Sequence, residues 1–396
     1  MLNPRLGQLT DYPFRRLARL LEPLAPPAAL APIDLSIGSP LHPTPELLKR
    51  TLAAHAEEWN RYPPITGTPA FRTAVADWLR ARFALPEGMI DPDRHVLPVA
   101  GTKEALFMLP QVLMPAPSAR PPAILMPNPF YNVYLGGAVM AGAEPVLLPV
   151  SATGGHLPDL EALPEALLER TLLFYLCSPA NPQGAAATPG YLARALDLAR
   201  RFGFLLLVDE CYSEIYTAGP PAGALTAAAA SGGRLDHLLV CHSLSKRSSA
   251  AGLRSGFVAG DEDVIGGFAH LRNYAAAVQP LPVLATAVAL WRDEEHVAHN
   301  RGLYQDKHRL AAERLAGRYG HAVPDGGFFL WLNVGDGEAV AHRLWTEAAL
   351  RVLPGGYIGR PGGDGVVPGS DYIRLALVHD RATTEEALDR LVRTLG

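Results

Sequence analysis

The chain has 396 residues, 48% of them hydrophobic and 19% charged, enough apolar material for a large core in two domains or one large enzyme-sized unit. Its 35 basic and 39 acidic residues leave a net charge of -4, which excludes the cationic excess that drives binding to nucleic acid or an anionic membrane. Three cysteines without C-x-x-C spacing (Cys177, Cys211, Cys241), no apolar core in MLNPRLGQLTDYPFRRLARL and no run near the ~18 residues of a spanning helix lead us to expect a cytoplasmic protein with buried free thiols and neither signal peptide nor membrane anchor.

The first 45 residues are proline-rich and irregular. From about residue 95 to 260, short apolar runs alternate with helical patterns: HVLPV, AILMP, PVLLP, LLFYLC, FLLLV, HLLVC and GFVAG. Several are continuous rather than alternating, as in strands buried on both faces of a mainly parallel sheet. Between them TKEALFMLPQVL and PGYLARALDLARRFG read as helices, the second ending in the glycine that often follows one. The pattern predicts an α/β fold whose sheet of about seven strands is covered by helices. The last hundred residues carry a long helix (HNRGLYQDKHRLAAERLAGRYG) followed by GGFFLWLN and YIRLALV. We expect both chain ends to build one smaller α+β domain, with 1–45 and 286–396 flanking a large domain over 46–285.

Ligands of an open α/β sheet bind beyond the carboxyl ends of its strands, so the polar residues that follow each apolar run are the candidates. After the first run, AGTKEAL (Gly101, Thr102, Lys103) is a turn opening a helix, whose free amides suit a phosphate. NPFYNVY after the second offers Phe130 and Tyr131 to stack on an aromatic cofactor, or else to pack in the core. SPANPQG presents the Asn181 amide, and DECY puts Asp209 at a strand mouth with Tyr212 three residues on. A buried carboxylate needs a partner, which could be a cationic ring nitrogen, though Asp209 could equally cap a helix.

Only four of the 35 basic residues are lysines (Lys49, Lys103, Lys246, Lys307), so a surviving lysine is a candidate for chemistry that arginine cannot perform. Lys246 follows the sixth run, in SLSKRSSAAGLRSGF, with Ser243, Ser245 and Arg254. A primary amine of lowered pKa forms an imine with an aldehyde, and the hydroxyls and guanidinium suit a phosphate.

Along essentially its whole length the chain resembles the fold-type-I aminotransferases of class I/II. The resemblance implies pyridoxal 5'-phosphate as cofactor, carried as a Schiff base by Lys246. It further implies Asp209 at the ring nitrogen, Asn181 and Tyr212 at the 3-oxygen, and Tyr131 over the ring. Gly101, Thr102, Lys103, Ser243 and Arg254 would hold the phosphate, Ser245 adding a hydroxyl. Tyr62 in RYPPITGTPAFR matches the tyrosine that reaches the neighbouring phosphate across a homodimer with shared sites. Arg374 in YIRLALV matches the arginine that grips the substrate α-carboxylate, beside Gly38 of SIGSP. NPQG replaces the usual NPTG, and a glycine-rich insert, GRPGGDGVVPGS, precedes Arg374.

YPFRRL, LSIGSPLHPTP, YPPITGTPAFR, NPFYNVY and VLPGGYI resemble the bacterial succinyldiaminopimelate aminotransferases. The implied reaction exchanges the amino group of N-succinyl-LL-2,6-diaminopimelate with 2-oxoglutarate, Lys246 moving the Cα proton. Some cation must read the distal carboxyl of both substrates, and Arg272 in LRNYAAAV and Arg360 in the insert are the candidates. Rival readings on the same scaffold are an aspartate, aromatic or alanine aminotransferase, or a carbon–sulfur lyase. A cofactor-sensing transcription regulator is disfavoured, because the fold begins within the first 40 residues and leaves no DNA-binding module. No metal site is expected.

Overall fold

The seven apolar runs become one sheet in the computed structural model, which describes residues 2–9, 11–116, 120–275, 278–363 and 365–396. After a short strand β1 (Ile33–Asp34) come β2 (Val96–Val99), β3 (Ala123–Asn128), β4 (Glu144–Pro149), β5 (Thr171–Cys177), β6 (Leu205–Asp209), β7 (Leu238–Ser243) and β8 (Gly256–Gly260). Their order is β2-β8-β7-β6-β5-β3-β4. β8 runs antiparallel to both neighbours, so β2 points the same way as β7 and the other parallel strands. Consequently Val99, Asn128, Cys177, Asp209 and Ser243 all end at one edge of the sheet, where a site would be expected.

The continuous apolar character of the strands has a direct cause in their two-sided burial. Leu206, Val208, Leu238 and Val240 join the core on one face, while Leu205, Leu207, Leu239 and Cys241 join that on the other. The helix Pro189–Phe202 covers the first face through Leu192, Ala195, Leu196 and Ala199, spaced three and four residues apart. It starts where Thr188 Oγ1 accepts the Tyr191 amide at 3.2 Å and stops at Gly203 in the left-handed region. The helices Thr102–Leu113 and Asn132–Ala141 cover the second face.

The chain ends meet in a smaller layer. β11 (Leu353–Pro354), β12 (Tyr372–Ala376) and β9 (Phe329–Asn333) form an antiparallel sheet, and β1 pairs in parallel with β10 (Leu350–Arg351). Ile33 and Leu35 pack with Leu310, Leu332, Leu350, Leu375 and Leu391 in one core. The Ala376 amide donates to Leu35 O at 2.7 Å, which draws the N-terminal segment across the strand exits of the large sheet.

Candidate active site

A cavity of ≈ 290 Å³ opens at those strand exits, walled on its far side by the N-terminal segment. At one end the helix Thr102–Leu113 begins at Gly101, whose φ of 81° favours glycine. A Cβ there would also collide with the Arg254 guanidinium. Arg254 Nη1 donates to Ala251 O at 2.9 Å and Nη2 to Ala100 O at 3.3 Å, which holds the guanidinium against the helix start. Ser243 caps the turn Leu244–Arg247, its Oγ accepting the Ser245 amide at 3.1 Å and lying 2.9 Å from Ser245 Oγ. First-turn amides without intrahelical acceptors, two hydroxyls and a guanidinium thus line one cavity, a set of donors suited to a phosphate.

Asp209 closes the middle of the cavity. Its Oδ2 accepts from Tyr134 Oη at 3.0 Å and its Oδ1 from the Cys211 amide at 3.2 Å. Burial pushes the carboxyl up, against hydrogen bonds from Cys211 and Tyr134 and the nearby His242 that pull it down. The Cys211 contact is the local turn that an aspartate makes with its own backbone, and the next helix begins only at Ala224, so Asp209 caps no helix. Tyr134 is held by stacking on Tyr175 at 4.5 Å. Tyr131, Asn181 and Tyr212 line the same stretch.

Opposite lies the amine. Lys246 Nζ donates to Gly38 O and sits 5.1 Å from the Phe328 ring centroid. Burial lowers its pKa to about 8, the Arg374 and Arg254 charges adding to the effect while Cys211 and Asp209 oppose it. Roughly a tenth of the amine is therefore free and nucleophilic at pH 7, far more than for an ordinary lysine. Arg374 donates through Nη1 to Asn181 Oδ1 at 3.0 Å and through Nη2 to Ser36 O at 2.8 Å. Its Nε is buried with no partner among the described residues, a donor left over for a ligand. Its guanidinium stands 4.3 Å over the Phe329 ring, and a Cβ on Gly38 would meet that ring at 2.6 Å, so Gly38 has to be small.

Gly38, Thr102, Lys103, Tyr131, Asn181, Asp209, Tyr212, Ser243, Ser245, Lys246, Arg254 and Arg374 all line this cavity, although the segments that supply them span 336 positions of sequence between Gly38 and Arg374. Gly101 backs it. Phe130 lines it as well, buried at 3% exposure, so its packing and site roles coincide. Cys177 and Cys241 are buried free thiols and Cys211 is half-buried, and both Cys177 and Cys211 line the cavity. Tyr62 is fully exposed, at 102%, and stands away from the cavity of its own chain.

Two expectations require correction. Arg272 is buried, its Nε bound to Glu104 Oε1 at 2.8 Å and its Nη1 to Pro98 O at 2.8 Å and Ile65 O at 3.1 Å, so it is a structural tie and not a reader of substrate. Arg360 lies outside the cavity, in a neighbouring depression with Asp11 and Arg16. Asn128 pins its backbone, accepting from Arg360 N at 3.1 Å and donating to Arg360 O at 2.9 Å. Other site residues escape the sequence pattern. Tyr134 stands within NPFYNVY, and its place three residues after Tyr131, on the first turn of a helix, is the signal that marks it. Tyr12, Phe14 and Ile37 line the cavity mouth from the irregular N-terminal segment, which offers no periodicity to read.

The donor set fits a phosphorylated pyridine aldehyde. A phosphate cradle, a buried carboxyl in need of a counter-charge and an imine-forming amine lie in one cavity with a spare arginine donor. Comparison with known proteins agrees. The profile of the family described as aminotransferase class I and II matches residues 31–391. An aminotransferase from Neisseria meningitidis is 39% identical and superposes with a TM-score of 0.95, all of both chains being covered. An LL-diaminopimelate aminotransferase of Desulforudis audaxviator is 31% identical over 99% of this chain and 97% of its own. A probable N-succinyldiaminopimelate aminotransferase from Thermus thermophilus is 28% identical, with a TM-score of 0.82 over 97% of this chain and 100% of its own.

Proposed function

The chain belongs to the class I and II aminotransferases, pyridoxal-phosphate-dependent enzymes that exchange amino groups between amino acids and 2-oxo acids, and we propose that its donor is N-succinyl-LL-2,6-diaminopimelate. The acceptor is 2-oxoglutarate, and the products are N-succinyl-2-amino-6-oxopimelate and glutamate. The observation that carries the transamination reading is the depressed Lys246 amine sharing one cavity with Asp209 and Arg374. For the substrate, the apolar mouth of Phe14, Ile37 and Ile358 suits the methylenes of an acylated chain, and the Thermus thermophilus resemblance points the same way. The relative from Desulforudis audaxviator favours a second reading, the unacylated LL-diaminopimelate.

When bound, pyridoxal phosphate supplies an aldehyde that condenses with amines and a ring that withdraws electrons from the reacting carbon. The chain's own residues do the rest. Arg254, Ser243, Ser245 and the amides of Thr102 and Lys103 would hold the phosphate, with Gly101 leaving room. Tyr131 would cover a face of the ring, Asn181 and Tyr212 would donate to its 3-oxygen, and Asp209 would keep its nitrogen protonated. Arg374 binds the α-carboxylate and so orients the Cα–H bond, beside Gly38. Lys246 would carry the cofactor, and its freed amine would take the Cα proton of the bound amino acid and hold it for return, a task that its lowered pKa suits. We place the enzyme in the cytoplasm as a homodimer, with Tyr62 reaching the partner's phosphate site. Residues 46–285 would be the cofactor-holding domain, and 1–45 with 286–396 the small one.

Lys246→Ala is expected to abolish both turnover and the visible absorbance of the bound cofactor. In the wild-type apoenzyme the rate of cofactor capture should rise with pH through a midpoint near 8 rather than the ordinary lysine value, because only the free amine attacks. A variant that kept its colour and turnover would refute the assignment. Assay of both diaminopimelates with 2-oxoglutarate separates the two substrate readings, a higher kcat/KM for the unacylated donor overturning the first.

A further inference from the structure

Two of the four lysines line the cavity and Lys49 pairs with Glu46 at the surface, which leaves Lys307, on the helix Glu295–Leu315 and only 1% exposed. Its Nζ donates to His379 O at 2.7 Å and to His42 Nε2 at 2.8 Å. His42 Nδ1 lies 2.9 Å from Asn300 Oδ1, and Asn300 Nδ2 reaches the backbone carbonyls of Lys246 at 3.0 Å and Arg247 at 3.1 Å. The direction of this chain follows from its ends. Two carbonyls can only accept, so the Asn300 amide nitrogen faces them and its oxygen accepts from His42 Nδ1–H, leaving Nε2 as the acceptor for Lys307. Asn300, Tyr304 and Lys307 stand at i, i+4 and i+7 on one face of their helix, and the His42 ring lies along it, 4.4 Å from that of Tyr304.

His42 is also fixed through its backbone, its carbonyl accepting from Ser249 Oγ at 2.8 Å. Four residues upstream Gly38 O receives the Lys246 amine, and two before that Ser36 O receives Arg374. We propose that His42 is a positioning residue: clamped between Asn300 and Lys307, it latches the 36–42 segment to the backbone of Lys246 and keeps the Gly38 carbonyl and Arg374 in register with the amine.

The surroundings favour the neutral imidazole that this chain needs, since Nε2 has to accept. Burial, Lys307 and His299 all disfavour the His42 imidazolium, with the Asn300 bond opposing them. Burial brings Lys307 down to about 7, Asp380 opposing it. A neutral amine has two N–H groups, and His42 and His379 take both, whereas an arginine could not shed its charge here. This inference rests on Lys246 as the cofactor-carrying amine.

The test is the pair His42→Phe/Lys307→Met, which keeps the ring against Tyr304 and the length of residue 307 while removing the bonds. In the half-reaction of the holoenzyme with L-glutamate, kcat should fall about tenfold and KM change less than about threefold, the signature of a misaligned base and not of lost binding. In the apoenzyme the pH midpoint of cofactor capture should rise by about half a unit, since the less tightly held amine is better hydrated. Should the pair fail to fold, Asn300→Ala, which cuts the same chain at the other end, takes the same measurements. A folded variant with unchanged kcat and midpoint overturns the latch. A wild-type protein that gains no visible absorbance with cofactor overturns the Lys246 assignment itself, so the two failures are distinct.

Discussion

Tyr134 controls the environment of the Asp209 carboxyl more directly than the residues that sequence alone selected. Its hydroxyl joins the Cys211 amide and thiol as donors to a carboxyl that burial already pushes up, and no arginine or lysine pairs with that carboxyl among the described residues. Tyr134→Phe leaves the stack on Tyr175 but removes that donor, which should raise the carboxyl's pKa further and weaken its hold on a cationic ring nitrogen. We expect kcat to fall roughly three- to tenfold with little change in unfolding temperature, and a kcat within about 1.5-fold of wild type would remove Tyr134 from the site. The residues at strand exits were legible because each follows an apolar run directly. Tyr134 was not, since NPFYNVY has two tyrosines and only the start of the helix at Asn132 decides which one turns toward Asp209. Arg272 misled for the converse reason: an arginine in LRNYAAAV looks like a surface cation until the neighbouring helix supplies a carboxylate.

That carboxylate belongs to an element-scale device. Glu104 accepts the Ala100 amide at 2.6 Å on Oε2 and Arg272 on Oε1, so the helix Glu262–Ala275 is tied through one side chain to the turn that opens the phosphate cradle. Arg272→Ala leaves Glu104 without its cation and the carbonyls of Pro98 and Ile65 without their donor. Loss of one partner of a buried pair typically costs about 3–5 kcal/mol. We therefore expect a lower unfolding midpoint and looser cofactor binding, with the KM for 2-oxoglutarate unaltered once cofactor saturates. A selective rise in that KM would instead restore Arg272 as a substrate reader. The strands of the large sheet were readable, because a strand buried on both faces, as β5 to β8 largely are, must be apolar throughout. The segment 36–42 was not, for its conformation is set by bonds to Lys246, Asn300, Lys307 and Arg374, 208 or more residues away in sequence.

At the scale of the whole molecule the proposed dimer explains why a tyrosine would be left entirely in solvent. Tyr62, 102% exposed, and Trp59, 56% exposed, precede the helix Pro69–Phe83 in a loop that contributes nothing to the cavity of its own chain. If each Tyr62 completes the partner's phosphate site, the two halves of a site lie on different chains and can be repaired separately. Lys246→Ala destroys the site of its own chain but still offers Tyr62 to the neighbour, while Tyr62→Ala keeps the amine and lacks the reach. Neither homodimer has a complete site. Unfolded together and refolded at equal amounts, the two should pair at random, so that half the dimers are mixed and one site in each mixed dimer has both groups. Roughly a quarter of the wild-type density of complete sites would return, seen as recovered activity at cofactor concentrations too low to saturate Tyr62→Ala alone. Activity equal to the plain average of the two parents would mean that Tyr62 serves no neighbour, and a monomer in sedimentation would say the same.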